Sequence, residues 1–465
     1  MTSYRLKLVA AAAAAVLAVG ACTGSSATTA PGSAASAAAS AAASAAASAA
    51  ASAAPSTTAA CTSGTVTVWS WFVQSTMQKA VDAYQKAHPG VTVKYTYYNY
   101  DPEYLTALKA AAASNTLPDV IGLQPGSLTQ QYRDQLAPIQ DYAAKAWGSD
   151  WQKLLPAVDL QQMQLGNPAG DTNFYMLPHE SQVLAIWYNK DIFAKYNLSV
   201  PTTLDQLIAV SKTLRANSVI PMYQGAAGSW QNENVFLQLA NQVKSGVTDA
   251  VQQGKADWTD PAIVTAMKTW GDLFTDGVFQ DGALGAQGYP TGAQLFASGK
   301  VGMVTFGSWW LQEAFLAPPQ PDQVNDLKAF DYFLWPSIAP GTQPGAVVGG
   351  IDVGYGMTKN GAGNPCAFDF LASLLHGEAG QAALADVNNL PAFLDVKLPA
   401  GVGPNVTSLY NKFMAQLPSA VNQRWYSADV QQAVDDALQA VAAGQKTAEQ
   451  AVADVAAAQK KVLGQ

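Results

Sequence analysis

Apolar and polar side chains alternate in several short stretches of this chain and recur at helical spacing between them. Thr65-Val66-Thr67-Val68-Trp69 alternates with the period of a half-buried strand. Met77, Ala80, Val81 and Tyr84 then fall at helical spacing, with Ser75 or Thr76 available as cap and His88-Pro89-Gly90 as stop. A second alternation covers Val91 to Tyr97. Asp101-Pro102 opens a helix carrying Leu105, Leu108 and Ala112, and Leu117 to Leu123 reads as a third strand. Strand-helix-strand-helix-strand is the opening of an α/β sheet. Further on, the pattern predicts helices over 190–196 and 203–216, the second with Thr202 and Asp205 arranged as a capping box. Asp260-Pro261 and Asn364-Pro365 each open a helix. Val301 to Phe306 and the Gly-rich Val348 to Met357 read as strands, and two helices close the chain, the last with Thr447 and Gln450 as its capping box.

The first sixty residues follow different rules. Arg5 and Lys7 precede an apolar stretch from Leu8, and Val19-Gly20-Ala21 is a small-residue cleavage site. The fourteen residues Leu8–Ala21 are too few to cross a bilayer, which needs about 20. Val19-Gly20-Ala21-Cys22 resembles a bacterial lipoprotein signal, with valine where leucine is commoner; the resemblance implies cleavage before Cys22 and lipid on its thiol. Ordinary secretion is the alternative. Residues 23–60 are almost wholly Ala and Ser and have nothing to bury, so they read as a spacer reaching about 35 Å as a random coil. If Cys22 carries lipid, Cys61 and Cys366 remain, and two thiols in an oxidising compartment tend to pair; two free buried thiols are the other reading.

Hydrophobic residues make up 49% of the 465 and charged ones 12%, enough for a large core. The formal charge is −8, and loss of 1–21 would remove two cations and no acids. No Lys/Arg cluster is present, which argues against a nucleic-acid partner, whose binding rests on phosphate neutralisation, and against an anionic membrane surface. The three histidines stand apart, and no Cys/His spacing suits a metal; no nucleophile elbow or phosphate loop occurs. Neither cofactor nor catalytic residue is expected.

A series of spaced segments resembles the family 1 extracellular solute-binding proteins, the carbohydrate-binding group that includes maltose-binding protein. These are the strand into Trp69-Ser70-Trp71-Phe72, Leu117-Pro118-Asp119-Val120, and Trp187-Tyr188-Asn189-Lys190-Asp191-Ile192-Phe193 with Pro201 to Leu207. Phe296 to Met303 with Gly307-Ser308-Trp309, then Gly349-Gly350, and Gly444 to Thr447 complete the series. The resemblance covers Thr65 to Leu463 and implies an α/β fold of two lobes, periplasmic-binding-protein-like, with a hinge of several chain crossings and an interlobe cleft. It implies a sugar ligand, permease subunits of an ABC importer as partners, a monomer, and a place outside the cytoplasm at the membrane face. The expected divisions are signal 1–21, tether 22–62, first lobe 63–180 and 348–400, and second lobe 181–347 and 401–465. Crossings are expected near 177–186, 348–353 and within 390–408.

Sugar recognition needs aromatic rings for the apolar faces of a pyranose and paired acceptors and donors for its hydroxyls. In an α/β lobe these gather beyond the carboxyl ends of strands. The aromatic candidates are Trp71 and Phe72 after the first strand, Trp230 in a Gly-rich loop, and Trp309, whose neighbour Trp310 is expected to face the lobe interior. Trp425 joins them because maltose-binding protein has a stacking aromatic just before the corresponding helix. The polar candidates are Gln124 at the end of the third strand, Glu180 at the first crossing, Gly350 as a point of close backbone approach, and Asp352 as acceptor. Asn99 and Glu233 are weaker, and the pair Asp435-Asp436 is expected on a helix surface. The competing readings are a secreted glycoside hydrolase using Asp352 with Glu180, which requires carboxylates about 5–10 Å apart across a cleft, and a receptor for a non-sugar solute.

Overall fold

The computed structural model describes residues 61–314, 324–342, 344–384, 386 and 389–464. The expected signal 1–21, Cys22 and all of the expected tether except Cys61 and Thr62 lie outside them. Two sheets organise the body. In the first, β1 (Gly64–Ser70) lies parallel between β2 (Val91–Tyr97) and β3 (Val120–Leu123), as its alternating Val66 and Val68 require. Next to β3 runs β9 (Val348–Met357), antiparallel both to it and to β4 (Leu177–Val183), whose other edge carries β10 (Leu390–Pro391). The two residues of β11 (Val421–Asn422) pair with the start of β9. The second sheet has the order β6 (Ile220–Tyr223), β7 (Val301–Val304), β5 (Ile186–Asn189), β8 (Phe330–Phe333).

The buried apolar residues sort with the sheets. One core takes Val66 to Leu177 and Ile351 to Phe393; two others, both around the second sheet, take residues within 183–348 and 390–455. The chain changes sides between Leu177 and Val183, between Val348 and Ile351, and between Phe393 and Val406, with β11 touching β9 once more. Two lobes joined by several strands of chain follow directly.

Local chemistry explains most helix starts. Asp260, Asn364 and Thr447 accept the N–H groups of Ala262, Cys366 and Gln450, and Thr447 with Gln450 forms a complete capping box. The helix Leu204–Ala216 is capped one residue later than the sequence suggests: Thr203 accepts from Gln206, while Gln206 reaches back to the Thr202 N–H. Neither Ser75 nor Thr76 caps Gln74–Ala87: the N-cap position falls on Val73, both lie inside the first turn, and Thr76 Oγ1 donates to Asp386 (2.8 Å). Asp101 is extended rather than a cap, and the regular helix starts at Leu105. Cys61 and Cys366 form a disulfide with their Cα atoms 4.7 Å apart, tying the approach to β1 onto the first turn of the helix Pro365–His376.

Candidate functional site

The lobes face each other across a floor made by the crossings. Asp352, in the middle of β9, keeps 19% of its side chain open. Its Oδ2 accepts from Asn389 Nδ2 (2.8 Å), and Oδ1 stands 3.8 Å from Arg424 Nη2. In the amide orientation that satisfies its neighbours, Gln182 donates to both carboxylate oxygens (3.1 and 3.2 Å). Burial pushes the Asp352 carboxyl up to about 6, against the opposing pull of Arg424 and the Asn389 bond. Arg424 is turned onto β9 by its own backbone: Asn422 Oδ1 accepts the Arg424 N–H (2.8 Å), and the guanidinium then bonds the carbonyls of Ile351 (Nε, 2.9 Å) and Asp352 (3.1 Å).

One wall belongs to the first lobe. Trp71, Tyr100 and Gln124 lie just past the carboxyl ends of β1, β2 and β3, where parallel strands deliver their loops. The Trp71 ring sits 4.9 Å from Tyr100 and 5.2 Å from buried Tyr104, and Tyr100 Oη donates to Gln124 Oε1 (2.8 Å). Burial raises the Tyr100 phenol above its ordinary value; Arg424 pulls it down, while Glu233, Asp101 and Asp352 push it further up. That phenol therefore lies within electrostatic reach of the floor and of Glu233 in the second lobe.

The opposite wall is a cluster of rings. Trp309 Nε1 donates to Tyr289 Oη (3.1 Å), Trp230 lies edge-on to Trp309 at 5.8 Å, and Tyr289 stacks on buried Phe306 at 5.0 Å. Trp310 is wholly buried among Phe296, Phe330 and Trp187, so the adjacent indoles do face opposite ways. Tyr289 is 37% exposed, yet surrounding protein pushes its phenol well above the usual value, with Glu313 and Asp352 adding to the rise. Asp352 influences phenols on both walls, Tyr100 and Tyr289.

Of the residues singled out from sequence, Trp71 and Gln124 belong to the first-lobe group, Trp230 and Trp309 to the ring cluster and Asp352 to the floor, and four belong to none of these. Phe72 is 3% exposed and packs on His179 at 4.8 Å; its N–H is tied back to Ser70 Oγ, which turns the ring into the first core. Trp425 is also 3% exposed. It stacks parallel to Trp258 and donates to Glu233 Oε2 (2.6 Å), because the turn that sends Arg424 onto β9 sends its neighbour into the second core. The space that a side chain at Gly350 would occupy holds Gln162, whose amide lies 2.2 Å from an ideal Cβ and bonds Gly349 O and Ile351 N. The missing side chain thus admits a protein group rather than a ligand.

Glu180 is buried and pairs with Val353 across a β-bulge, sharing the sheet face of Val353 and Tyr355, whereas Asp352 is on the other face. Its charge pushes the Tyr355 phenol upward. These two carboxylates do not flank one bond, so the hydrolase pair named above is not assembled. Of the pair expected on a helix surface, Asp436 is exposed and Asp435 is half-buried, its carboxyl raised by burial and by the nearby Glu233 charge.

Tyr100, Tyr289, Gln182, Asn389 and Arg424 escaped the sequence reading. The strand-end rule that points to Trp71 and Gln124 also points to the loop after β2, but Asn99 there is exposed and bonded to Glu103, and Tyr100 is the residue beside Trp71. Arg424 follows a two-residue strand that carries no periodic signal.

Residues 72–381 match the family described as bacterial extracellular solute-binding protein. The chain belongs to this family. Among relatives of this solute-binding protein, an uncharacterised ABC transporter extracellular-binding protein of Pyrococcus horikoshii is 26% identical over 58% of this chain and 64% of its own length. The multiple sugar-binding protein of Streptococcus mutans is 24% identical over 61% and 63%. The chain thus spans somewhat under two thirds of these relatives. A solved structure connected with xylan utilisation by Caldanaerobius polysaccharolyticus superposes with a TM-score of 0.72 at 23% identity, covering 86% of this chain and all of the other. A chitin oligosaccharide binding protein gives 0.70 at 22%, covering 85% and 98%. At these identities the superpositions establish a shared two-lobed fold.

Proposed function

We propose that this solute-binding protein receives a carbohydrate between its lobes and hands it, chemically unchanged, to the permease of an ABC-type importer. The observation that carries the reading is Asp352 on β9, bonded through Asn389 to the Ser308-Trp309 segment that holds Tyr289, with Trp71, Tyr100 and Gln124 grouped at the strand ends of the other lobe. Rings on both lobes suit the two apolar faces of a pyranose, and Asp352, Gln124 and Gln182 supply acceptors and donors for hydroxyls. Trp71, Trp230 and Trp309 are the stacking residues in this reading. The sugar favours closure because it meets both walls at once only when the lobes approach. The names of the Streptococcus mutans relative and of the chitin-binding structure point the same way.

The anchoring expectation belongs to the same proposal. Lipid on Cys22 and an Ala/Ser spacer would hold the body as a monomer at the outer membrane face, within reach of its permease. Mass spectrometry of the mature N-terminus checks this; an unmodified Cys22 in a released protein refutes it. For the sugar, the test is a thermal-shift screen of mono- and oligosaccharides with spermidine as the non-sugar arm, since a ligand selective for the folded state raises the midpoint. A shift of several degrees with an oligosaccharide is expected. A shift with spermidine and none with any sugar overturns the reading.

A further inference from the structure

Behind Asp352, three consecutive hydrogen bonds join four separate segments of the chain. The Val183 N–H, at the end of β4, donates to Ser308 Oγ (3.0 Å). Ser308 Oγ–H donates to Asn389 Oδ1 (2.7 Å), and Asn389 Nδ2 donates to Asp352 Oδ2 (2.8 Å). Ser308 and Asn389 expose no surface at all, so solvent water does not compete for these bonds. Asn389 Oδ1 also accepts the Leu390 N–H (2.9 Å). With its oxygen taken by two donors, the amide has only its nitrogen to offer the carboxylate. The orientation is fixed by chemistry.

Two members of this series bear on the cleft. Ser308 immediately precedes Trp309, which holds Tyr289; Asp352 is the floor acceptor. Val183 and Asn389 stand on chain that passes between the lobes. We propose that Asn389 is a positioning residue for ligand binding, locking the Asp352 carboxylate to the segment that presents Trp309, so that acceptor and stacking ring keep one spacing as the lobes rotate. The proposal rests on the reading in which Asp352 and Trp309 both touch sugar. Asparagine suits the post because it accepts on one side and donates on the other. Aspartate there would oppose two carboxylates, and leucine would strand both the serine hydroxyl and Asp352. Arg424 and Gln182 also face Asp352 and are left in place by the test.

The experiment uses Asn389→Ala, Ser308→Ala, Asp352→Asn and the double variant Asp352→Asn/Asn389→Ala, with folding checked by circular dichroism. Maltotriose, xylotriose and triacetylchitotriose are the probes, titrated calorimetrically. For whichever binds, Asn389→Ala is expected to weaken affinity at least tenfold, while the double variant binds no more weakly than Asp352→Asn alone. Losses that simply multiply would overturn the proposal. Ligand-free hydrogen exchange supplies the second arm: Asn389→Ala should speed exchange both in 305–311 and in 350–354. Faster exchange confined to 389–392 would also overturn it. If Asn389→Ala does not fold, Ser308→Ala breaks the same series from its other end and is held to the same criteria. Should none of the three sugars bind the unaltered protein, the titrations use the sugar that the thermal-shift screen finds; if none shifts the midpoint, the sugar reading fails, and exchange alone decides whether the two segments are locked together.

Discussion

Adjacent side chains in this protein are assigned opposite tasks by the side of the backbone they leave. Trp309 and Trp310 are one such pair, Arg424 and Trp425 another. Trp309→Ala should therefore cost sugar affinity while changing the unfolding midpoint little. Trp310→Ala should lower stability by about 3–5 kcal/mol, the cost of emptying a packed aromatic site. Parallel calorimetric titration and urea unfolding separate the two; equal stability losses would contradict the assignment. Asp159 offers a pH test. It is fully buried, only its Oδ2 is partnered, by Ser181 Oγ (2.6 Å), and burial pushes its carboxyl up to about 7 against the pull of Ser181 and Arg424. A folded value above the unfolded one means the folded state holds the proton more tightly. Its contribution is fully present below about pH 4 and is lost as pH rises through about 7. Asp159→Asn should then leave the melting midpoint unchanged near pH 4 and raise it relative to the unaltered protein by pH 8. Parallel midpoint-against-pH curves would exclude this.

Elements were legible where the local signal had no competitor. Alternation announced β1 and β2, and Asp260, Asn364 and Thr447 announced their helices because each side chain found an N–H waiting. Where the helix began before the expected residue, as at Gln74 with Val73 in the N-cap position, the expected cap failed. The same distinction divides the site. Trp71 and Gln124 were legible because strand ends deliver loops to the cleft; Phe72 and Trp425 misled because sequence does not say which way a side chain turns after the strand stops. The disulfide is an element-scale fastening. It closes a loop with a sequence separation of 305 and lies beside Tyr84, whose hydroxyl is held by Asp369 (2.7 Å). Loop-closure entropy sets about 5 kcal/mol as the upper figure for such a link. Cys61→Ser/Cys366→Ser should unfold at clearly lower urea, and dithiothreitol should shift the unaltered protein toward it while leaving the variant unmoved. Identical midpoints with and without reductant would mean the thiols are not joined in solution.

At the scale of the whole molecule, the junction between lobes adds a set of amides and one guanidinium to the buried apolar residues of the crossings, such as Val183, Val348 and Ile351. Gln162 and Gln423 bond the backbone of β9, Asn389 and Gln182 bond the Asp352 carboxylate, Asn422 holds Gln162 and the Arg424 N–H, and Arg424 is the cation among them. Arg424 offsets Asp352 and also feels Tyr100, Glu233 and Asp159, so one charge serves acids on both sides of the cleft. Arg424→Met keeps the aliphatic stem and deletes the charge and the donors. Asp352 is then left as an unpaired, mostly buried carboxylate, a change that typically costs about 3–5 kcal/mol, and its carboxyl should move further up from about 6. The loss should be largest above that value and shrink as falling pH neutralises Asp352. The segment after β11 also loses the guanidinium bonds to the Ile351 and Asp352 carbonyls, leaving Gln423 on Ile351. Ligand-free scattering should consequently show a larger radius of gyration for the variant at pH 8 than for the unaltered protein, with the gap narrowing at pH 5. A radius and midpoint that match the unaltered protein at both pH values would mean that Arg424 is a bystander and that the lobes are held without it.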